Sequence, residues 1–312
     1  MINSISEKTD VQAKILKNFN KDKSKRTGIV IKLLLMFATL ISVFTTAGIV
    51  VTLVSDASKF FAQVPLSEVF STDLAPLARE PSFGIIPLLT GTMMTSLVAM
   101  MVAIPAGLGA ALYMSEFASA NTRKIIKPVM EILAGIPTIV YGFFAYSFVT
   151  PLLMKILPDL GSKNALSPGL VMGIMIIPIV TSLSEDAMNS VPESIRQGSL
   201  ALGSTRFETG IKVVIPAAIS GIIASFVLAV SRAIGETMIV AIASGSSKNF
   251  TLDITQSMQT MTAYIVEFTS GDAGSGTVGY YSLYAVGLIL FIFTLLINML
   301  AHYISKKYRE VY

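Results

Sequence analysis

Two charged side chains stand where the sequence is otherwise apolar. Arg232 is the twentieth residue of a segment running 213–243, and Glu236 follows four residues later. At 1.5 Å per residue, Arg232 lies about 16 Å from the far end of that segment, close to the middle of a bilayer. A charge at that depth is costly, so it must face a bundle interior or a water-filled cavity. Four residues is about one helical turn, so the two side chains share a helix face. Two chemistries suit such a pair. One is mutual neutralisation, which lets the helix insert. The other is anion handling: the planar, always-charged guanidinium matches the oxygens of phosphate, and the carboxylate keeps it from trapping the anion. The spacing alone leaves both open.

Covalent chemistry lacks its parts. The chain has no cysteine and one histidine, His302. Thiolate nucleophiles, Cys-ligated metals and His clusters are therefore excluded. An intramembrane protease or acyltransferase needs a nucleophile–base pair at membrane depth, and no His or Cys lies there. No GxxxxGK[ST] phosphate-binding loop occurs, so any ATP would be hydrolysed by a separate chain. No catalytic residue, metal or cofactor is expected on this chain. Glu131, one turn after Lys127, reads as its surface ion-pair partner. His302, beside Lys306, reads as interfacial. Pro105, Pro137 and Pro178 are expected to interrupt the second, third and fourth long helices.

The elements that must position Arg232 and Glu236 follow from charge. Of 312 residues, 53% are apolar and 13% charged, against about 25% charged in soluble domains. Mean hydropathy is +0.71. A water-soluble enzyme and a disordered chain are both excluded. Charge-free runs cover 33–55, 81–115, 132–154, 164–184, 213–231 and 273–305, and about 20 apolar residues cross a bilayer. The expected fold is an all-α membrane protein with six transmembrane helices near 29–54, 86–113, 128–153, 168–184, 213–243 and 281–304. Lys and Arg number sixteen on one side and five on the other, so both termini are expected in the cytoplasm. The basic tail, 1–28, answers to topology and anionic headgroups, and nucleic acid is not needed to explain the net charge of +4. Outer loops are expected over 55–85 and 244–280, a cytoplasmic loop over 185–212, and a cytoplasmic C-terminus over 305–312. Long loops on both sides suggest partner surfaces.

The loop after the fourth helix is polar yet patterned. Gly203 can take the left-handed conformation that ends a short helix. Ser204 or Thr205 can cap a second one, and Glu208 stands at the capping-box distance from Thr205. Pro216 is expected in the first turn of the fifth spanning helix. Gly169 with Gly173, and Gly221 with Ser225, favour close helix contact.

The spacing from Gly203 to Pro216 resembles the cytoplasmic "EAA" loop of ATP-binding-cassette importer permeases. In that family a Glu-Ala-Ala triplet precedes the glycine by four residues; here the triplet is Gln197-Gly198-Ser199, which departs at its glutamate. Val213, Ile215 and Pro216 keep the rest of the pattern. The stretches Gly84 to Ala120, Glu131 to Ala145 and Ser231 to Val240 are similar to the C-type permease subunit of the phosphate importer, rather than its A-type partner. The resemblance covers roughly residues 80–305. It implies a type I importer permease (MetI-like), 86–304 forming the core, with a helical coupling loop that holds Gln197, Gly198, Ser199, Gly203, Arg206, Phe207 and Pro216 for the ATPase. It places Arg232 and Glu236 on the anion pathway. Implied partners are a second homologous permease, two ATP-binding-cassette ATPase subunits that use the ATP, an extracytoplasmic phosphate-binding protein and the bilayer of the bacterial inner membrane. Alternatives are a permease for sulfate or molybdate, or a non-transporting scaffold or sensor.

Overall fold

The computed structural model describes residues 22–272, 274 and 276–307. Most of the basic tail expected over 1–28, and residues 308–312 with Arg309, lie outside the described residues. The chain divides into two units, 1–53 and 54–312.

Among the described residues, the first unit is part of one helix. Helix α1, Asp22–Phe61, begins inside the expected tail and runs past residue 54 into the second unit. Over 28–49 its apolar side chains, such as Leu34, Phe37 and Phe44, are exposed in the isolated chain. A helix apolar on every side is stable in lipid, not in water.

In the second unit, the loop expected over 55–85 is shorter and folded. It holds α2, Leu66–Val69, and two antiparallel strands, β1 (Leu74–Ala75) and β2 (Ser82–Phe83), which pair Leu74 with Phe83. This ladder is the one departure from an all-α chain among the described residues. Phe60 meets Phe83 edge-on with ring centroids 5.3 Å apart. Leu88, Tyr264 and Phe268 complete that cluster.

The core is built on α3, Ile86–Leu112. It ends in a wide i→i+5 turn, Tyr113–Phe117. Next come α4 (Ala120–Gly135), α5 (Thr138–Phe144), α6 (Thr150–Met154) and α7 (Leu166–Asn189). Small residues let α3 and α7 approach closely, as membrane helices require. A Cβ on Gly169 would stand 2.7 Å from Val98 Cβ, and one on Gly173 2.8 Å from the Ala99 carbonyl oxygen. Gly221 and Ser225 serve the same end: Gly221 faces Ala187, and the Ser225 and Ser184 hydroxyls are 2.8 Å apart. Thr181 Oγ1 donates to the Gly107 carbonyl at 3.2 Å. Such bonds contribute about 0.6 kcal/mol each inside membranes, so close backbone packing holds these helices together more than the hydroxyls do.

Four helices are long and apolar enough to cross a membrane, and six spans result if each of two bent pairs counts as one. The third and fifth expected spans are those bent pairs. At Ile136-Pro137 the chain turns by 87° between α4 and the stretch Thr138–Met154. Proline has no N–H and forces its predecessor out of the helical region, which ends α4 there. Pro105 and Pro178, expected to interrupt their helices, lie inside α3 and α7, which run on through them.

The 185–212 region is helical. α7 reaches Asn189; α8 is Glu193–Ala201 and α9 is Arg206–Thr209. A wide turn, Gly210–Val214, leads to α10, Ile215–Ala217. The chain then turns by 75° into α11, Ile219–Ile234. Pro216 therefore lies before the bend and not in the first turn of the spanning helix. After α12 (Met238–Ala243), α13 (Met261–Glu267) and a second folded loop, α14 (Val278–Lys307) closes the chain. Thr92 Oγ1 of α3 accepts from the Met261 N–H at 3.0 Å, which ties α13 to the core.

Candidate functional site

Arg232 and Glu236 do meet, but not on a continuous helix. Arg232 is in the last turn of α11, where a cation is favoured by the helix dipole. The helix ends at Ile234, and Gly235, Glu236 and Thr237 form a break before α12. The cause is local. Glu236 Oε1 accepts from the backbone N–H groups of Met238 at 3.1 Å and Ile239 at 3.4 Å. A side chain that caps the next helix in this way replaces the partners those amides would have in an unbroken one.

The second carboxylate oxygen, Oε2, accepts from Arg232 Nη1 at 2.5 Å. Thr262 Oγ1 donates to the Glu236 main-chain carbonyl at 2.7 Å. Glu236 is thus held from three directions, and its side chain is 2% exposed, against 36% for Arg232. That asymmetry decides what the pair can do. The buried carboxylate is saturated and fixed. The guanidinium has five N–H groups; one is used on Glu236 and one points at Met175 Sδ, 3.8 Å away. The remainder have no hydrogen-bond partner among the described residues, and the side chain is partly exposed. Broken helices at membrane depth are tolerated where they line a cavity. The arrangement suits transient binding of an oxyanion, because the carboxylate offsets the arginine charge while part of the guanidinium stays exposed.

The second expected site is the loop from Gln197 to Pro216. Gly203 has φ +91°, where L side chains are strained. The Ser204 N–H donates to the Ser199 carbonyl at 3.3 Å and the Gly203 N–H to the Leu200 carbonyl at 3.0 Å, which is the Schellman closure of α8. Thr205 and Glu208 form both halves of the capping box of α9. The Thr205 N–H and hydroxyl, followed by Lys212, hold the exposed Glu208 carboxyl below its usual range. Ser199 and Thr209 are linked through their hydroxyls at 3.0 Å, so α8 and α9 form one folded unit. Gln197, Gly198 and Arg206 lie on its exposed surface. Leu202 at 90% and Phe207 at 58% exposure stand out from it.

Reasoning from spacing missed the side chains beneath this loop. Lys127 pairs with the buried Glu185 of α7 at 3.2 Å, and not with Glu131, which lines the same cleft of about 240 Å³. Arg196 pairs with Glu116 at 3.1 Å. Ser115 Oγ donates to Asn189 Oδ1 at 3.1 Å, and Asn189 Nδ2 donates to Glu185 at 3.3 Å. Glu116 and Glu185 end two charge-free runs, so spacing marks them only as boundaries.

Comparison with known proteins gives the family and the fold. Residues 103–310 match the family described as "Binding-protein-dependent transport system inner membrane component". The "Probable ABC transporter permease protein YqgH" of Bacillus subtilis is 32% identical over 243 residues, 78% of each chain. The "Phosphate transport system permease protein PstC" of Mesorhizobium japonicum is 30% identical over 290 residues, 86% of this chain and 87% of that one. A "Probable phosphate transport system permease protein PstC" of Methanocaldococcus jannaschii is 31% identical and covers 80% and 87%. Among solved structures, a bacterial alginate ABC transporter in complex with its alginate pentasaccharide-bound periplasmic protein matches 91% of this chain and 96% of its own with a TM-score of 0.63 at 14% identity. The MetNI methionine ABC transporter matches 73% and 95% with a TM-score of 0.54 at 16% identity. At these identities the structures speak for the fold alone.

Proposed function

The chain belongs to the family of binding-protein-dependent transport inner-membrane components, and from that premise we propose that it is the phosphate-translocating permease subunit of an ATP-driven importer. It is a multi-pass membrane subunit of a transport system. Phosphate is the substrate named for the Mesorhizobium japonicum and Methanocaldococcus jannaschii relatives, whose matches span 86% and 80% of this chain.

The observation that carries the reading is the Arg232–Glu236 pair. A tetrahedral oxyanion reaching the break after α11 meets a guanidinium with free N–H groups, whose position is set by a buried carboxylate. Charge-assisted bonds to phosphate oxygens favour its arrival. The carboxylate repels the same anion and limits its residence, which passage requires. This chain contributes no covalent step.

ATP is hydrolysed by two partner subunits that dock on the exposed face of α8 and α9, with Gln197, Gly198, Leu202 and Phe207 in the contact. A second permease completes the path. The phosphate-loaded binding protein docks on the opposite side, on the loops around β1–β2 and α13. Both termini are cytoplasmic. Closure of the ATPases moves the loop and rocks the bundles between inward and outward access.

Competition tests the substrate directly. Cells that express the assembled transporter should lose uptake of labelled phosphate when unlabelled phosphate is added in excess, and keep it when sulfate or molybdate is added. Equal loss with sulfate or molybdate would assign the transporter to another oxyanion.

A further inference from the structure

We propose that Arg196 is the positioning residue that joins the α8–α9 loop to the ends of α3 and α7, so that one side chain transmits loop motion to both helices. The inference rests on the transporter reading above. It comes from one planar cation bonded in three directions. Nε donates to Glu116 of the turn that ends α3, at 3.1 Å. Nη1 donates to the Val191 carbonyl and Nη2 to the Met188 carbonyl, each at 2.7 Å. Met188 is in the last turn of α7, where carbonyls have no partner within the helix, and Val191 lies two residues past its end. Arg196 itself is the fourth residue of α8.

Burial makes these bonds matter. The Arg196 side chain is 13% exposed and Glu116 8%, so neither charge is satisfied by water alone. Ion pairs in such places cost desolvation and hold only with good geometry and further hydrogen bonds. Here both conditions are met. The single Ser115 hydroxyl proton has two acceptors 3.1 Å away, Glu116 Oε1 and Asn189 Oδ1, and serves one at a time. Gly210 packs against Leu112 and Glu116; a Cβ there would stand 2.9 Å from Leu112 Cδ1. The loop is therefore a folded body seated on α3, with Arg196 as its polar fastening. A lysine offers donors from a single point and cannot serve three directions set apart as these are.

The joint predicts loss of coupling without loss of assembly. The assembled transporter is reconstituted in proteoliposomes with Arg196→Lys or Glu116→Met. The second variant leaves both carbonyl bonds of Arg196 in place, which keeps the test open if the first fails to assemble. Labelled phosphate carried per ADP formed should fall about tenfold in each, while assembled amount and basal hydrolysis stay near normal. A second readout follows the joint itself. Spin labels are placed at Ser194→Cys on α8 and Tyr113→Cys beside Glu116, in a chain with no native cysteine and cysteine-free partners. Their separation should be the same with and without ATP in the unaltered joint, and should broaden with ATP in Glu116→Met. Unchanged transport per ADP with an unchanged separation in both variants would overturn the proposal. So would a drop in assembled amount with a normal ratio, since that is a purely structural role. If the labels behave as stated but the parent transporter carries no phosphate, the joint stands and the substrate assignment falls.

Discussion

Arg232 works by geometry as much as by charge. Its pairing with Glu236 spends one N–H and leaves the rest of a planar fork partly exposed. Arg232→Lys keeps the charge and loses the fork. One lost charge-assisted hydrogen bond is worth about 1.5–3 kcal/mol, which is roughly a ten- to hundredfold loss in uptake. The check is phosphate uptake normalised to assembled transporter; a lysine variant that transports normally would show that a point charge suffices. Gly203 is constrained in another way. A Cβ there would touch nothing within 4 Å, yet φ is +91°. Gly203→Val therefore meets no clash and costs only backbone strain, about 1–3 kcal/mol. Membrane insertion should survive, while the ATPase detaches or uncouples. Normal ATP-driven uptake in that variant would reduce the loop to a connector.

Among the helices, the α3–α7 contact gives a matched pair of substitutions with opposite signs. Gly173→Ala places a methyl 2.8 Å from the Ala99 carbonyl, where backbone must yield, at a cost of roughly 1–3 kcal/mol. Gly109→Ala, in the same packed helix α3, meets nothing within 4 Å and should stabilise by roughly 0.5–1 kcal/mol. Thermal midpoints of the purified variants in detergent should move down and up respectively; equal shifts would mean that α3 and α7 are not packed as described. The α9 cap adds a pH signature. Glu208 is held below its ordinary value of 4.5, so its contribution is present above that pH and is lost as the pH falls through the lowered folded value. The protection factor of the Thr205 amide, which donates to the Glu208 carboxylate, should hold down to about pH 4.5 and fall below it; a fall already near neutral pH would contradict the cap. The sequence showed how long the apolar runs are, because Lys, Arg and acids bound them. It did not show where they break. Pro137 carries a visible signal, and the bend there is 87°. The break at Gly235 to Thr237 depends on which way the Glu236 carboxylate turns, and no residue pattern specifies that. The Lys127–Glu185 pair is hidden for a similar reason: its partners are distant in the chain, while the nearer Glu131 suggested itself.

In the expected topology, basic residues gather on the side that bears α8 and α9. Orientation follows from that asymmetry. In intact cells, a cysteine at Ser270 should react with an impermeant thiol reagent and one at Ser204 should not; labelling at 204 from outside would invert the topology and remove the ATPase from this loop. On the proposed function, phosphate passes this chain by way of the Arg232–Glu236 pair. The most direct test of that route is the double variant Arg232→Gln with Glu236→Gln, assembled with all partner subunits in proteoliposomes that enclose ATP. The exchange removes both charges and keeps similar volume, and replacing a buried ion pair by neutral groups is often harmless to stability. A pair that handles phosphate should then leave assembly intact and labelled phosphate uptake largely abolished. Uptake close to the parent level, per assembled transporter, would mean that the pair serves only to let the helix sit in the membrane.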